Sequence, residues 1–197
     1  IDKSHEAFGT ANDPELAAEL AAYYAQAMTA VGVHVTFEPY ANEIGAQYGE
    51  NPEHIAKIIS AEVSALQENG LSSCTKHWIG RGGDSSFGAA RSVAQNFDNW
   101  MVGWKAAIDA GAEWVMTNCG GTGITNTVDV KWDEATMSYL RDTLGFDGVV
   151  VTDWWALGGG PSNPGRMSGV TAEGFDLGTK DIRWLYNEAL RLGTDMF

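Results

Sequence analysis

The chain has 197 residues, of which 44% are hydrophobic and 19% charged, a composition typical of a folded globular domain and not of a disordered chain. With 12 basic against 26 acidic residues, the net charge is −14. This charge argues against nucleic acid and anionic membrane surfaces as partners, because phosphate groups bind to basic faces. No apolar stretch approaches the roughly 18 residues of a membrane-spanning helix. The two cysteines, Cys74 and Cys119, predict no disulfide framework.

Helices and strands alternate along the chain. Two of the helices open with an N-cap residue followed by proline, Asp13 in the first and Asn51 in the second. The predicted helices span residues 13–31, 51–69, 96–110, 133–144 and 181–192, and the predicted strands span residues 33–37, 72–78, 113–117, 148–152 and 194–197.

Repeated β-α units with short connections predict the α/β class, with a parallel sheet covered by helices. The absence of a Gly-x-Gly-x-x-Gly or P-loop pattern after any strand disfavours an open, nucleotide-binding sheet and favours a (β/α)8 TIM-type barrel. Such a barrel needs eight strands and about 250 residues. We therefore expect residues 1–197 to form a partial barrel domain that lacks the first strand, the last strands and any C-terminal domain. Another polypeptide or another segment of a longer protein would complete it; the alternative is a trimmed fragment.

The clearest functional signal is a carboxylate at the end of a predicted strand. The apolar run 149–151 indicates a buried strand, and Asp153 follows it, just ahead of Trp154 and Trp155. In α/β barrels the catalytic residues lie at the carboxyl ends of the strands. An aspartate in this place also caps the following helix in many proteins, so the residue types alone leave both roles open.

This segment resembles the signature of glycoside hydrolase family 3, in which the aspartate before tryptophan is the catalytic nucleophile. Six further motifs extend the resemblance over nearly the whole chain in matching order. They are Asn12-Asp-Pro-Glu-Leu-Ala17, the strand ending in Phe37-Glu38-Pro39, Tyr48-Gly-Glu-Asn-Pro52, Lys76-His77-Trp78-Ile79-Gly80, Val115-Met116 and Gly193-Thr-Asp-Met-Phe197.

The resemblance implies a retaining, exo-acting β-glycosidase, most simply a β-glucosidase, that needs no cofactor. Asp153 would form the glycosyl-enzyme, Lys76 and His77 would bind hydroxyls of the sugar in subsite −1, and Trp154 would form an apolar wall beside the anomeric centre. The candidate substrate-binding residues are Lys76, His77, Trp154, Met116, Arg81 and Asp84. A Lys-His pair without this context is usually a solvent-exposed pair with no functional role. Trp78 and Trp155 could equally be packing residues.

The chain departs from the family pattern at three places. Residues 42–47 stand where family members often carry an Arg-rich stretch that reaches the sugar, and residues 118–120 replace a Ser-Tyr-Asn motif. Residues 80–86 lack the histidine that acts as acid/base in the single-domain N-acetylglucosaminidase branch. Asp84, Glu38 and Glu43 remain candidates for the acid/base. In multi-domain members this group is a carboxylate of a later domain, so we expect it to come from outside the chain.

Two alternatives stay open at this point. A non-catalytic family 3-like subunit would have a binding or structural role; the departures at residues 42–47 and 118–120 favour it, whereas the retained Asp153-Trp154 and Lys76-His77 favour the enzyme. An unrelated parallel-barrel enzyme such as an aldolase would use Lys76 to form a Schiff base. The four histidines have no i,i+4 partner and no Cys-x-x-Cys context, so the sequence predicts no metal site.

Overall fold

The computed structural model describes residues 11–41, 48–49, 51–79, 93–118, 123–125, 127–153, 171 and 173–197. The α-helices are α1 (Pro14–Ala30), α2 (Pro52–Glu68), α3 (Val93–Asp109), α4 (Glu134–Ser138) and α5 (Ile182–Arg191), and the strands are β1 (Val35–Thr36), β2 (Ser72–Trp78), β3 (Trp114–Thr117) and β4 (Val149–Thr152). Single turns of 3-10 helix span Val130–Trp132 and Leu177–Thr179, and a π-helical turn, Tyr139–Thr143, continues α4.

The N-caps act as the sequence predicts. The Asp13 carboxylate accepts hydrogen bonds from the backbone N–H groups of Glu15 and Leu16, both at 3.1 Å, which satisfies two of the donors that a helix start leaves unpaired. Asn51 does the same for α2. At the other end of a helix, Gly145 has a φ of +70° and follows the π-helical turn, a conformation that glycine adopts without steric cost.

The four strands are parallel, and their order in the sheet, β1-β2-β3-β4, is their order in the chain. Val115 and Val150 pack with Ile58, Ile59 and Trp104 of the helices in the main hydrophobic core. The opposite face of the sheet carries a smaller cluster, which Cys74, Met116 and Val151 form. A doubly wound sheet reverses its strand order at a switch point, and the described strands show no such reversal.

Two predicted strands differ from the structure. The strand predicted at 33–37 pairs with β2 only at Val35 and Thr36, since the chain then reaches Pro39, which has no N–H to donate to a ladder. The strand predicted at 194–197 is a single parallel bridge between Met196 and Val151. The backbone N–H groups of Asp195 and Met196 both donate to the Val150 carbonyl, at 2.8 and 3.1 Å, so the segment lies beside β4 without forming a regular ladder.

The Arg141 side chain links residues 193–195 to the start of β4 through hydrogen bonds. Its guanidinium donates to the carbonyl oxygens of Phe146, Gly148 and Gly193 at 3.1, 2.7 and 2.9 Å. It also donates at 2.8 Å to the Asp195 carboxylate, which accepts a further bond from the Val150 N–H. One planar side chain therefore joins residues 146–148 to residues 193–195.

None of the described helices is both long and apolar enough to span a bilayer.

Candidate active site

The carboxyl ends of β2, β3 and β4 are level with one another. Lys76 pairs with Met116, and Met116 pairs with Val151 on the next strand. Asp153 follows β4 directly, and its backbone N–H donates to the Thr117 carbonyl at 3.2 Å. The sheet therefore fixes the main chain of Asp153 beside the residues that end the two preceding strands.

Asp153 and His77 come together at this edge. The His77 Nε2 atom lies 3.6 Å from Oδ2 of Asp153, and the two side chains are only 14% and 12% exposed. The contact is an ion pair when the imidazole is protonated. The structure thus brings two residues of the predicted site into contact, although they lie on β2 and at the end of β4.

Lys76 and His77 lie within the last part of β2, where adjacent side chains ordinarily point to opposite faces of the sheet. The pairing of β2 with β3 shifts register between Lys76 and Trp78. Irregularities of this kind change the direction in which side chains leave a strand. Lys76 and His77 are half-buried. Trp78 is fully buried in the main core and packs edge-to-face on Trp104 at 5.0 Å, so it is a packing residue.

Tyr40 is a member of this group that the sequence did not single out. The Lys76 ammonium lies over the Tyr40 ring, 4.3 Å from its centroid, and 5.9 Å from the centroid of Phe37. The Tyr40 ring also meets the His77 ring edge-to-face, with centroids 5.5 Å apart. An aromatic residue just after a proline at the carboxyl end of a predicted strand was the available signal.

Met116 lies on the sheet face opposite to the main core, in the small apolar cluster there. It is 6% exposed and packs with Cys74 and Val151. Burial raises the pKa of the Cys74 thiol to about 12, while the charge of Lys76 opposes this shift. Cys74 is therefore a neutral apolar side chain at physiological pH. The role of Met116 in lining a substrate pocket stays a prediction.

Glu38, one candidate for the acid/base, interacts with Tyr48. The Tyr48 hydroxyl donates to a carboxylate oxygen of Glu62 at 2.9 Å. Burial raises the pKa of Tyr48 well above its ordinary value, and the negative charges of Glu62 and Glu38 raise it further. A catalytic role for Glu38 stays a prediction. Six other side chains that the sequence analysis discusses lie outside the described part of the chain, namely Trp154, Trp155, Arg81, Asp84, Glu43 and Cys119.

Comparison with known proteins gives this arrangement a family context. Residues 4–174 match the sequence profile of the glycosyl hydrolase family 3 N terminal domain. Beta-glucosidase C of Emericella nidulans is 27% identical over 172 residues, which cover 72% of this chain and 27% of that protein. Beta-glucosidase 2 of Saccharomycopsis fibuligera is 24% identical over 197 residues, which cover 81% of this chain and 22% of that protein.

Solved structures share the fold. The β-glucosidase from Listeria innocua in complex with glucose superposes with a TM-score of 0.70 at 23% identity, over 94% of this chain and 27% of that one. The β-N-acetylhexosaminidase from Beutenbergia cavernae superposes with a TM-score of 0.69 at 20% identity, over 100% of this chain and 59% of that one. These likenesses confirm the α/β fold as part of a TIM-type barrel. The chain spans about a quarter of the length of the curated β-glucosidases that it matches.

Proposed function

The chain belongs to glycosyl hydrolase family 3, and from that membership we propose that it is a retaining, exo-acting β-glycosidase with Asp153 as its nucleophile. The observation that carries this proposal is the contact between Asp153 and His77, with Nε2 of the histidine 3.6 Å from the carboxylate. The position of Asp153 immediately after β4 supports it, because α/β barrels carry their chemistry at this edge.

In the proposed reaction, a carboxylate oxygen of Asp153 attacks the anomeric carbon while the bond from that carbon to the leaving oxygen breaks. Water then cleaves the glycosyl ester and regenerates the carboxylate. The Lys76 ammonium carries only donors, so it binds sugar hydroxyls through their oxygen lone pairs. His77 lies against the nucleophile and holds the hydroxyl nearest to it. The substrate proposed is a β-glucoside, because the curated relatives are named β-glucosidases.

A covalent trap tests the nucleophile. The purified chain is incubated with a 2-fluoro-β-glucoside that carries a dinitrophenyl leaving group, and the peptides are examined by mass spectrometry. Dinitrophenolate leaves without protonation, so this first step does not depend on a general acid. We expect a fluoroglucosyl ester on Asp153 in the wild type and none in Asp153→Asn. Asp147→Asn, an exposed aspartate in the same segment, is the matched control and is expected to be labelled like the wild type.

An adduct on any residue other than Asp153 would overturn the nucleophile assignment. Sugar binding without an adduct would favour the second candidate function, a non-catalytic subunit that binds carbohydrate. The departures of residues 42–47 and 118–120 from the family pattern are the observation that favours this alternative.

We further propose that the acid/base and the remaining strands come from polypeptide outside these 197 residues. The chain spans 27% of both the Emericella and the Listeria β-glucosidase. Beside β4, Met196 and Phe197 are 49% and 42% exposed. Apolar side chains at the edge of a sheet are the surface that a further strand and helix would cover.

Substrate reactivity and azide test this second proposal. Without an acid/base, the chain should leave methyl β-glucoside intact, since its leaving group needs a proton. It should turn over dinitrophenyl β-glucoside slowly, and azide should accelerate this turnover with formation of β-glucosyl azide, because azide attacks without a general base. Hydrolysis of methyl β-glucoside by the purified chain in the absence of azide would place the acid/base within the 197 residues and refute the proposal.

A further inference from the structure

We propose that Tyr40 is a positioning residue whose ring holds both the Lys76 ammonium and the His77 imidazole, of which the imidazole lies against Asp153. The ring contacts both side chains, and His77 in turn contacts the Asp153 carboxylate. The contacts that place the two side chains do not depend on any activity of the protein. Its consequence for sugar binding rests on the proposed glycosidase function.

The contact with Lys76 is a cation–π interaction. The ammonium lies 4.3 Å from the centroid of the Tyr40 ring, well within the roughly 6 Å over which the negative face of an aromatic ring attracts a cation. Phe37 lies at 5.9 Å, near that limit. Because the ammonium covers this face of the Tyr40 ring, the face supports Lys76 and is not a platform on which a sugar stacks.

The contact with His77 has the geometry that aromatic pairs prefer. The two ring centroids are 5.5 Å apart and the ring planes meet at 66°, an edge-to-face arrangement. Tyr40 thus fixes two neighbouring residues of β2 through one ring. A regular strand would direct these two side chains to opposite faces of the sheet.

The backbone around Tyr40 is itself held on both sides. The Lys76 N–H donates to the Pro39 carbonyl at 3.0 Å, and the Ala41 N–H donates to the Lys76 carbonyl at 2.8 Å. Helix α3 packs closely against Ala41 at Gly103, where an added Cβ atom would lie 3.0 Å from the Ala41 carbonyl oxygen. The Tyr40 ring therefore projects from a segment that β2 and α3 hold in position.

Positioning matters here because lysine is a rotamer-rich side chain. A free lysine loses conformational freedom when it binds a hydroxyl group, whereas an ammonium already held over a ring loses less. Residues 42–47 carry no arginine. With no arginine there, the proposed sugar contacts of the described site fall mainly to Lys76 and His77, so their placement should affect the affinity.

Nuclear magnetic resonance tests the placement in Tyr40→Phe and Tyr40→Leu, with circular dichroism to confirm that each variant is folded. The control is Tyr23→Leu, at an exposed tyrosine of α1. In the wild type we expect nuclear Overhauser effects from the Tyr40 ring to the His77 ring protons and to the Lys76 ε-methylene. The ring-current shifts of both groups should persist in Tyr40→Phe and in the control, and should be lost in Tyr40→Leu.

The affinity for isofagomine, measured by calorimetry, tests the consequence for sugar binding. We expect Tyr40→Leu to weaken binding roughly three- to thirtyfold, the range for losing a partly desolvated cation–π contact, and Tyr40→Phe to stay within about twofold of the wild type. This rescue by phenylalanine separates the ring contacts from any effect of the hydroxyl group.

Unchanged His77 and Lys76 resonances in folded Tyr40→Leu would overturn the positioning role, and so would a Tyr40→Phe variant as impaired as Tyr40→Leu. If the His77 and Lys76 resonances of Tyr40→Leu are displaced but its affinity for isofagomine is unchanged, Tyr40 has no role in sugar binding. A wild-type chain that shows the expected Overhauser effects but binds no isofagomine would support the placement and count against the glycosidase function.

Discussion

Cys74 shows how burial determines the chemistry of a single side chain. It is a fully buried free thiol next to the site, packed with Met116 and Val151 on the sheet face turned away from the helices. Burial raises its pKa from 9.0 to about 12, since a thiolate would be poorly solvated there. The thiolate is the form that reacts with electrophiles, so Cys74 is chemically inert in the folded protein.

We expect iodoacetamide at pH 8 to modify Cys74 at least about a hundredfold more slowly in the folded protein than in urea, because both exposure and the thiolate are lost on folding. A Cys119→Ser background isolates the signal, and mass spectrometry measures it. The pKa of the Cys74 thiol is higher in the folded chain than in the unfolded chain. The protonated thiol therefore contributes its full stabilisation of the fold below about pH 9, and this contribution is lost as the pH rises to about 12. Equal modification rates in the two states would contradict the burial of Cys74.

At the scale of the elements, β4 owes its position to contacts on both of its edges. The β3 ladder lies on one side, in register from Trp114 opposite Val149 to Thr117 opposite Thr152. Residues 193–197 lie on the other side, where they bond to Val150, Thr152 and the Arg141 side chain, and the Gly193 and Thr194 N–H groups tie their start to the end of α5. This second edge has a few irregular backbone bonds in place of a ladder, and the Arg141 guanidinium reinforces it.

We expect Arg141→Met to lower the free energy of unfolding by about 2 kcal/mol, because it leaves three carbonyl groups and the Asp195 carboxylate without a charged donor. Urea denaturation measures this loss. Hydrogen exchange should show lower protection of the Asp195 and Met196 amides than in the wild type. Arg191→Met, at an exposed arginine paired with Glu188, is the control and should cost about 0–1 kcal/mol. Unchanged protection in Arg141→Met would show that backbone bonds alone hold the segment.

Over the whole molecule, most of the architecture is predictable from local patterns. The β-branched run at 149–151 and the N-caps Asp13 and Asn51 depend on neighbours in the sequence, so the strand and the helix starts are where the sequence places them. The short β1 and the bridge at Met196 were not predictable, because their extent depends on pairing with β2 and β4, which lie far along the chain.

In the candidate site, too, some residues are predictable from the sequence and others are not. A carboxylate after a buried strand and a Lys-His pair near the end of another are visible in the sequence, and the parallel sheet brings them to one edge. For Tyr40 the sequence offers only an aromatic residue after a proline, which does not reveal what the ring contacts. Its contacts depend on the register shift after Lys76 and on the bridge that returns the chain to β2, and neither has a residue signature.

The level carboxyl ends of β2, β3 and β4 have a consequence for the evolution of such a chain. The main chain of Asp153 is held by the sheet, through Thr117 and the pairing of Thr117 with Thr152. Along the chain, residues 79–92 separate β2 from α3 and residues 118–133 separate β3 from α4. Lengthening a flexible connection twofold costs only about 0.6 kcal/mol in closure entropy. Insertions and deletions in these connections can therefore reshape the rim around Asp153 many times over while its carboxylate keeps the same place.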